Sequence, residues 1–104
     1  MARFDVYNNP EKSEHAHTPF VLDVQNDHLS GVETRIVIPL RDAKMHGAQL
    51  ERVHPAFSIA GRKVVLDTPT MATFPRNWLH TPVASLQPQQ AVVQDALDAL
   101  FGAY

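Results

Sequence analysis

The chain contains no cysteine. Disulfide staples, thiolate metal ligands and a cysteine nucleophile are excluded with it. Glycine is scarce: four isolated residues in 104, too few for a glycine-rich loop that cradles phosphate. Basic charge is short as well, with nine Lys and Arg against eleven Asp and Glu, a net charge of −2 and a pI near 6.3. Such a balance argues against strong nucleic-acid binding by the chain alone, which needs many phosphates neutralised. No apolar run approaches the ~18 residues of a membrane span. Arg3 and Asp5 interrupt Phe4 and Val6, so the start of the chain has no h-region of a signal peptide. The expectation is a soluble, cytoplasmic protein with no membrane partner.

Hydrophobic residues make up 44% of the chain and charged residues 19%, a globular composition. The length fits a single domain over residues 1–104. A chain of this size buries roughly two-thirds of its unfolded surface. That provides a small core but not a core plus a large internal cavity. Function is therefore expected on a surface, at a terminus or along a dimer seam.

Phe4 and Val6 alternate with Arg3 and Asp5, the period-2 mark of a half-buried strand over residues 3–7. Asn8-Asn9-Pro10 ends it, and polar residues 8–18 read as an exposed loop. Residues 20–25 form a second strand, with Phe20, Leu22 and Val24 on one face. Residues 34–40 form the strongest strand, with Ile36, Ile38 and Leu40 on one face. Pro39 cannot donate to a ladder and is expected at an edge or strand end. Residues 41–50 read as a polar link. Residues 56–59 and 63–67 flank Ala60-Gly61-Arg62 as a hairpin, with Gly61 supplying positive φ. Residues 71–74 read as a short strand closed by Pro75, and 75–87 as irregular.

Pro88 suits a helix N1 position, where its missing N–H is no loss. Val93, Ala96, Leu97 and Leu100 then mark one helical stripe, stopping near Phe101 with Gly102 at C′. Asp95 and Asp98 lie toward the unfavourable end of that helix's dipole, which marks the helix end as a contact surface. Short strands followed by one terminal helix give a mainly β (α+β) chain, a small antiparallel barrel or curled sheet with a helix packed on it.

No catalytic constellation emerges. His15 and His17 sit two apart in a polar loop without further ligands, and His28, His46, His54 and His80 are scattered. None of the serines at 13, 30, 58 and 85 lies in a Gly-x-Ser-x-Gly turn. No metal or cofactor is called for, and the chain is read as a non-enzyme. Arg62-Lys63 reads as a solubilising pair at a hairpin tip. Trp78 reads equally as an interface anchor or a core filler. The last turn, Leu100-Phe101-Gly102-Ala103-Tyr104, carries two aromatics where most chains end in polar residues. It reads either as folded back onto the core or as an exposed tip that inserts into a partner.

Three segments, Phe4-Asp5-Val6-Tyr7, Phe20-Val21-Leu22-Asp23-Val24-Gln25-Asn26-Asp27 and Arg35-Ile36-Val37-Ile38-Pro39-Leu40, together resemble the CcdB toxins. His54-Pro55, Met71-Ala72-Thr73-Phe74-Pro75 and the terminal helix are similar to family segments in the same order, over nearly the whole chain. The resemblance implies an SH3-like antiparallel β-barrel with a C-terminal α-helix, forming a homodimer. It implies a toxin that binds the DNA gyrase A subunit and traps the cleaved gyrase–DNA complex. A CcdA-type antitoxin would neutralise it, and the pair would co-repress their operon, with DNA contacted mainly through the antitoxin. Family tails typically end Trp-Gly-Ile; here Phe101 is followed by Gly102-Ala103-Tyr104. The resemblance places gyrase contact at Phe101, Gly102, Ala103 and Tyr104, with His28 and Asp98 nearby. An RNA-cleaving toxin of the MazF type on a similar barrel is the rival reading. A degenerate homologue that binds antitoxin but spares gyrase is the third.

Overall fold

The alternation of residues 20–24 becomes a strand buried on both faces. Phe20, Leu22 and Val24 enter one apolar cluster and Val21 enters another on the opposite side. The computed structural model describes residues 2–29, 31–44, 47, 50 and 52–102. Within them lie β1 (Asp5–Asn8), β2 (Phe20–Asp23), β3 (Thr34–Asp42), β4 (Ala56–Ile59), β5 (Arg62–Leu66), β6 (Ala72–Pro75), β7 (Ala84–Ser85) and the helix α1 (Gln90–Phe101). Every pairing is antiparallel. The order β4-β5-β3-β2-β1-β7, with β6 on the first half of β3, curls into a nearly closed antiparallel barrel with a C-terminal helix. This is the expected mainly β architecture, with more strands than the sequence pattern marked.

The larger cluster joins Val6, Leu22, Ile38, Leu40, Val64 and Leu66 from the strands to Val93 and Leu97 of α1. Each fully buried aliphatic side chain contributes about 1.5–3 kcal/mol, so this shared interior holds helix and barrel together. The smaller cluster, Tyr7, Val21, Val37 and Leu79 with Phe74 against it, covers the outer face of β1, β2, β3 and β6.

Several boundaries differ from the sequence reading, each for a local reason. β1 begins at Asp5 because Phe4 adopts a left-handed φ of 75°. It closes a turn in which the Asp5 N–H donates to the Ala2 carbonyl at 3.1 Å. Pro39 is not at an edge or strand end. It pairs with Val21 inside β3, at the point where the opposite side of β3 changes partner. β6 pairs with residues 34–37 and β5 with residues 40–42. The Pro39 carbonyl accepts from Asp67 N on that side, so its nitrogen faces the seam where no ladder bond is needed. The 8–18 segment is not wholly exposed: Asn9 and Thr18 are buried, with the Asn9 amide donating to the Thr18 carbonyl at 2.9 Å. Residues 75–87 include a 3-10 turn (Arg76–Trp78) and β7, which pairs with β1. Pro88 sits in a 3-10 turn (Gln87–Gln89) that leads into α1, so it precedes the first α-helical residue.

The β4–β5 hairpin turns through Ala60 (φ 51°) and Gly61 (φ 78°). Positive φ at both central residues is the type I′ geometry whose twist matches the strands. No helix among the described residues is long and apolar enough to cross a membrane.

Candidate partner-binding site

Val93, Ala96 and Leu97 bury one stripe of α1 and Leu100 is half-buried, as the 3.6-residue spacing requires. Gly102 ends the helix in the left-handed conformation at φ 74°, its N–H donating to the Asp98 carbonyl at 2.9 Å. Phe101, beside it, is 70% exposed. A large aromatic in that state loses apolar stabilisation unless a partner covers it. Of the two readings of the last turn, Phe101 follows the exposed one. Ala103 and Tyr104 lie outside the described residues, as does His46.

The helix carries two acids, Asp95 and Asp98, and no base of its own. Cations come from elsewhere in the chain. Arg52 pairs with Asp95 at 2.9 Å. Arg3 Nη2 donates to Gln94 Oε1 at 3.1 Å, and Gln94 Nε2 donates to Asp98 Oδ1 at 3.0 Å. Of the two acids, Asp95 is met by a distant cation, whereas Asp98 is met by Gln94 of its own helix, which Arg3 holds in turn. His28 is exposed in a 3-10 turn (Asp27–Leu29), held by its N–H on Asn26 Oδ1 at 2.9 Å. Arg3 N donates to Asp27 Oδ1 at 2.7 Å. The structure thus brings Asp98, Phe101 and Gly102 onto one helix end and ties the His28 turn to that helix through Arg3. The sequence reading missed Arg3, whose partners are 24 and 91 positions away.

Beneath the outer cluster lies a charge pair that the strand pattern hid. Arg35 and Asp23 have fully buried side chains, with Nη2 at 2.7 Å and Nε at 2.9 Å from Asp23 Oδ2. Burial pushes the Asp23 carboxyl up from its ordinary range, against the hydrogen bonds from Arg35 and the Gln25 N–H. Burial, followed by the Asp5 and Asp23 carboxylates, pushes the Tyr7 phenol up to about 12. Gln25 completes this framework: its Oε1 accepts from Ile36 N at 3.0 Å and its Nε2 donates to the Thr34 carbonyl at 3.0 Å. Asp23 ends β2, the strand that leads toward the His28 turn, and Arg35 lies on the neighbouring β3.

Other polar clusters are bound up internally. Asp67 meets Arg41 at 3.1 Å and His54 Nε2 at 3.2 Å. Burial raises the Asp67 carboxyl, but the Thr70 hydroxyl, Arg41 and His54 outweigh it and hold the group below its usual range. His54 Nδ1 accepts from Leu50 N at 2.9 Å, so both ring nitrogens are engaged and neither is offered to a substrate proton. Arg62 is not a free solubilising charge: Nε and Nη2 reach Asp42 Oδ2 at 3.0 and 2.9 Å, and Nη2 also reaches the Ala16 carbonyl at 3.0 Å. His15 contacts the Asn9 carbonyl. Among the described residues no group of three His, Cys, Asp or Glu side chains is arranged to hold a metal.

Trp78 is 47% exposed, with its ring 5.4 Å from that of Phe74. It does not fill the core: it packs against Phe74 at the margin of the outer cluster and lines a groove of about 800 Å³ with Tyr7, Lys12, His15 and His80.

A family model described as CcdB protein matches residues 3–102 of the 104-residue chain. No curated protein matches it.

Proposed function

Because the chain belongs to the CcdB family, and so is the toxin of a CcdA/CcdB-type toxin–antitoxin system, we propose that it poisons DNA gyrase by binding and catalyses no reaction itself. The observation that carries the proposal is the 70% exposure of Phe101 at the capped end of a helix whose other face is locked into the barrel. A rigid aromatic projecting from an ordered element is the kind of anchor that dominates binding energy at interfaces. Phe101 and Gly102, continued by Ala103 and Tyr104, form the contact group, with Asp98 and His28 beside it. Small Gly102 and Ala103 let the partner backbone approach closely.

The toxin acts as a homodimer presenting two such tips to the gyrase A subunit in the cytoplasm. The tips bind the DNA-cleaved state of gyrase more tightly than the resealed one, since a ligand shifts an equilibrium only through such a difference. A CcdA-type antitoxin neutralises the toxin. The two together repress their operon, with the antitoxin supplying most of the DNA contact. The toxin's own net charge of −2 supports that division of labour.

Calorimetric titration of the gyrase A subunit with the purified protein tests the contact group. Phe101→Ala is expected to weaken binding by at least ~2 kcal/mol, the usual threshold of an interface anchor, while the unfolding temperature stays near wild type. Undiminished affinity in Phe101→Ala would remove the tip from the interface.

A further inference from the structure

The helix end that carries Phe101 is intrinsically poorly stabilised. Helix ends fray, and this one has the acid Asp98 and no base in its last turn, at the negative end of its dipole. Yet its last turn is regular through Phe101 and closed by Gly102. Besides that cap, a contact from outside the helix reaches the same turn.

Arg3 stands at that junction. Its Nε donates to the Val24 carbonyl at 3.0 Å, and its Nη2 to Gln94 Oε1 at 3.1 Å. Gln94 passes the link to Asp98, one turn along, at 3.0 Å. The Arg3 backbone N–H holds Asp27 Oδ1, the first residue of the His28 turn, at 2.7 Å. The guanidinium also lies over the Phe4 ring, its Cζ 4.7 Å from the centroid, a cation–π contact that helps hold it in place. Phe4 in turn is buried in the main core and its N–H donates to the Asp23 carbonyl at 2.7 Å. One residue therefore connects the β2 end, the His28 turn and the Asp98 face of α1 to the rigid interior.

We propose that Arg3 is a positioning residue for the partner-binding tip. Its guanidinium, through Gln94, fixes the Asp98–Gly102 turn at a set distance from the Asp27–Leu29 turn, so that both patches meet the partner already arranged. Ordering those groups before binding removes a cost that would otherwise be charged against affinity. This role rests on the gyrase-binding reading of the tip.

Two variants separate positioning from mere folding. Arg3→Met removes the guanidinium but leaves an apolar stem on Phe4 and the backbone bond to Asp27. Gln94→Ala, at an exposed position, cuts both halves of the relay without touching the core. Amide hydrogen exchange is measured on each purified variant, together with affinity for the gyrase A subunit. Both variants are expected to exchange the Gly102 amide roughly tenfold faster and to bind gyrase A roughly tenfold more weakly. Arg3→Lys, a point charge that cannot serve Val24 and Gln94 together, falls between Arg3→Met and wild type. The double variant Arg3→Met/Gln94→Ala loses no more than either single one, because both cut the same relay.

Unchanged Gly102 exchange in Arg3→Met and Gln94→Ala overturns the positioning role. So do additive losses in the double variant, which would place Arg3 in direct contact with the partner. If the wild-type protein fails to bind gyrase A while the exchange changes occur, the relay stands as the device that orders the tip and the assignment of the target fails.

Discussion

Burial of the Tyr7 hydroxyl without a hydrogen-bond partner among the described residues creates an alkaline weakness. The phenol titrates near 10.0 in the unfolded chain and near 12 in the folded one. The folded pKa is the higher, so stability is complete below pH 10 and falls as pH climbs toward 12. Two units correspond to at most about 3 kcal/mol. Tyr7→Phe removes the group, so its unfolding free energy should lose this decline between pH 10 and 12. Because no hydrogen bond is given up, it should equal or exceed wild type at pH 7 by up to ~1 kcal/mol. Denaturant unfolding at both pH values checks this. Arg35 is the opposite case. Its replacement by Met leaves the Asp23 carboxylate buried and unpaired, a loss of about 3–5 kcal/mol. Asp23→Asn/Arg35→Met should recover much of it, by the same denaturant midpoint. Neither effect was legible in the sequence. Asp23 and Arg35 fall at the outward positions of strands read as half-buried, and nothing local to them shows that a second cluster covers that face.

At the scale of the element, the β4–β5 turn offers a gain in stability. Ala60 holds φ 51°, a conformation that disfavours a residue with a Cβ, beside Gly61 at φ 78°. Ala60→Asn produces the Asn-Gly pair that type I′ turns prefer, and should raise stability by ~0.5–1 kcal/mol, seen as a higher melting temperature. The hairpin, the helix stripe and the Gly102 cap were readable from sequence because each depends on spacing within a few residues. Phe4 and Pro39 were not. The left-handed Phe4 sits with its ring in the main core and its N–H on the distant Asp23 carbonyl, and the tolerance of Pro39 inside β3 follows from β6 handing over to β5 across it. Both depend on partners distant in the chain.

Taken whole, the barrel leaves a helix end standing out from a body whose polar groups are largely engaged with one another. Asp67 joins Arg41 and His54, Asp42 joins Arg62, and Asp23 joins Arg35. The tip was visible in the sequence as two aromatics near the chain end, whereas the Arg3 relay beneath it needs three-dimensional proximity and could not be. The claim that this tip poisons gyrase meets its most direct test on plasmid DNA. Purified protein is incubated with gyrase and supercoiled plasmid, and the products are resolved after detergent and protease treatment. Linear plasmid should accumulate with the wild-type protein and vanish when residues 102–104 are removed. Absence of linear product with wild-type protein, using gyrase from the native host, would contradict the account and leave a CcdB-family barrel whose exposed Phe101 serves a different partner.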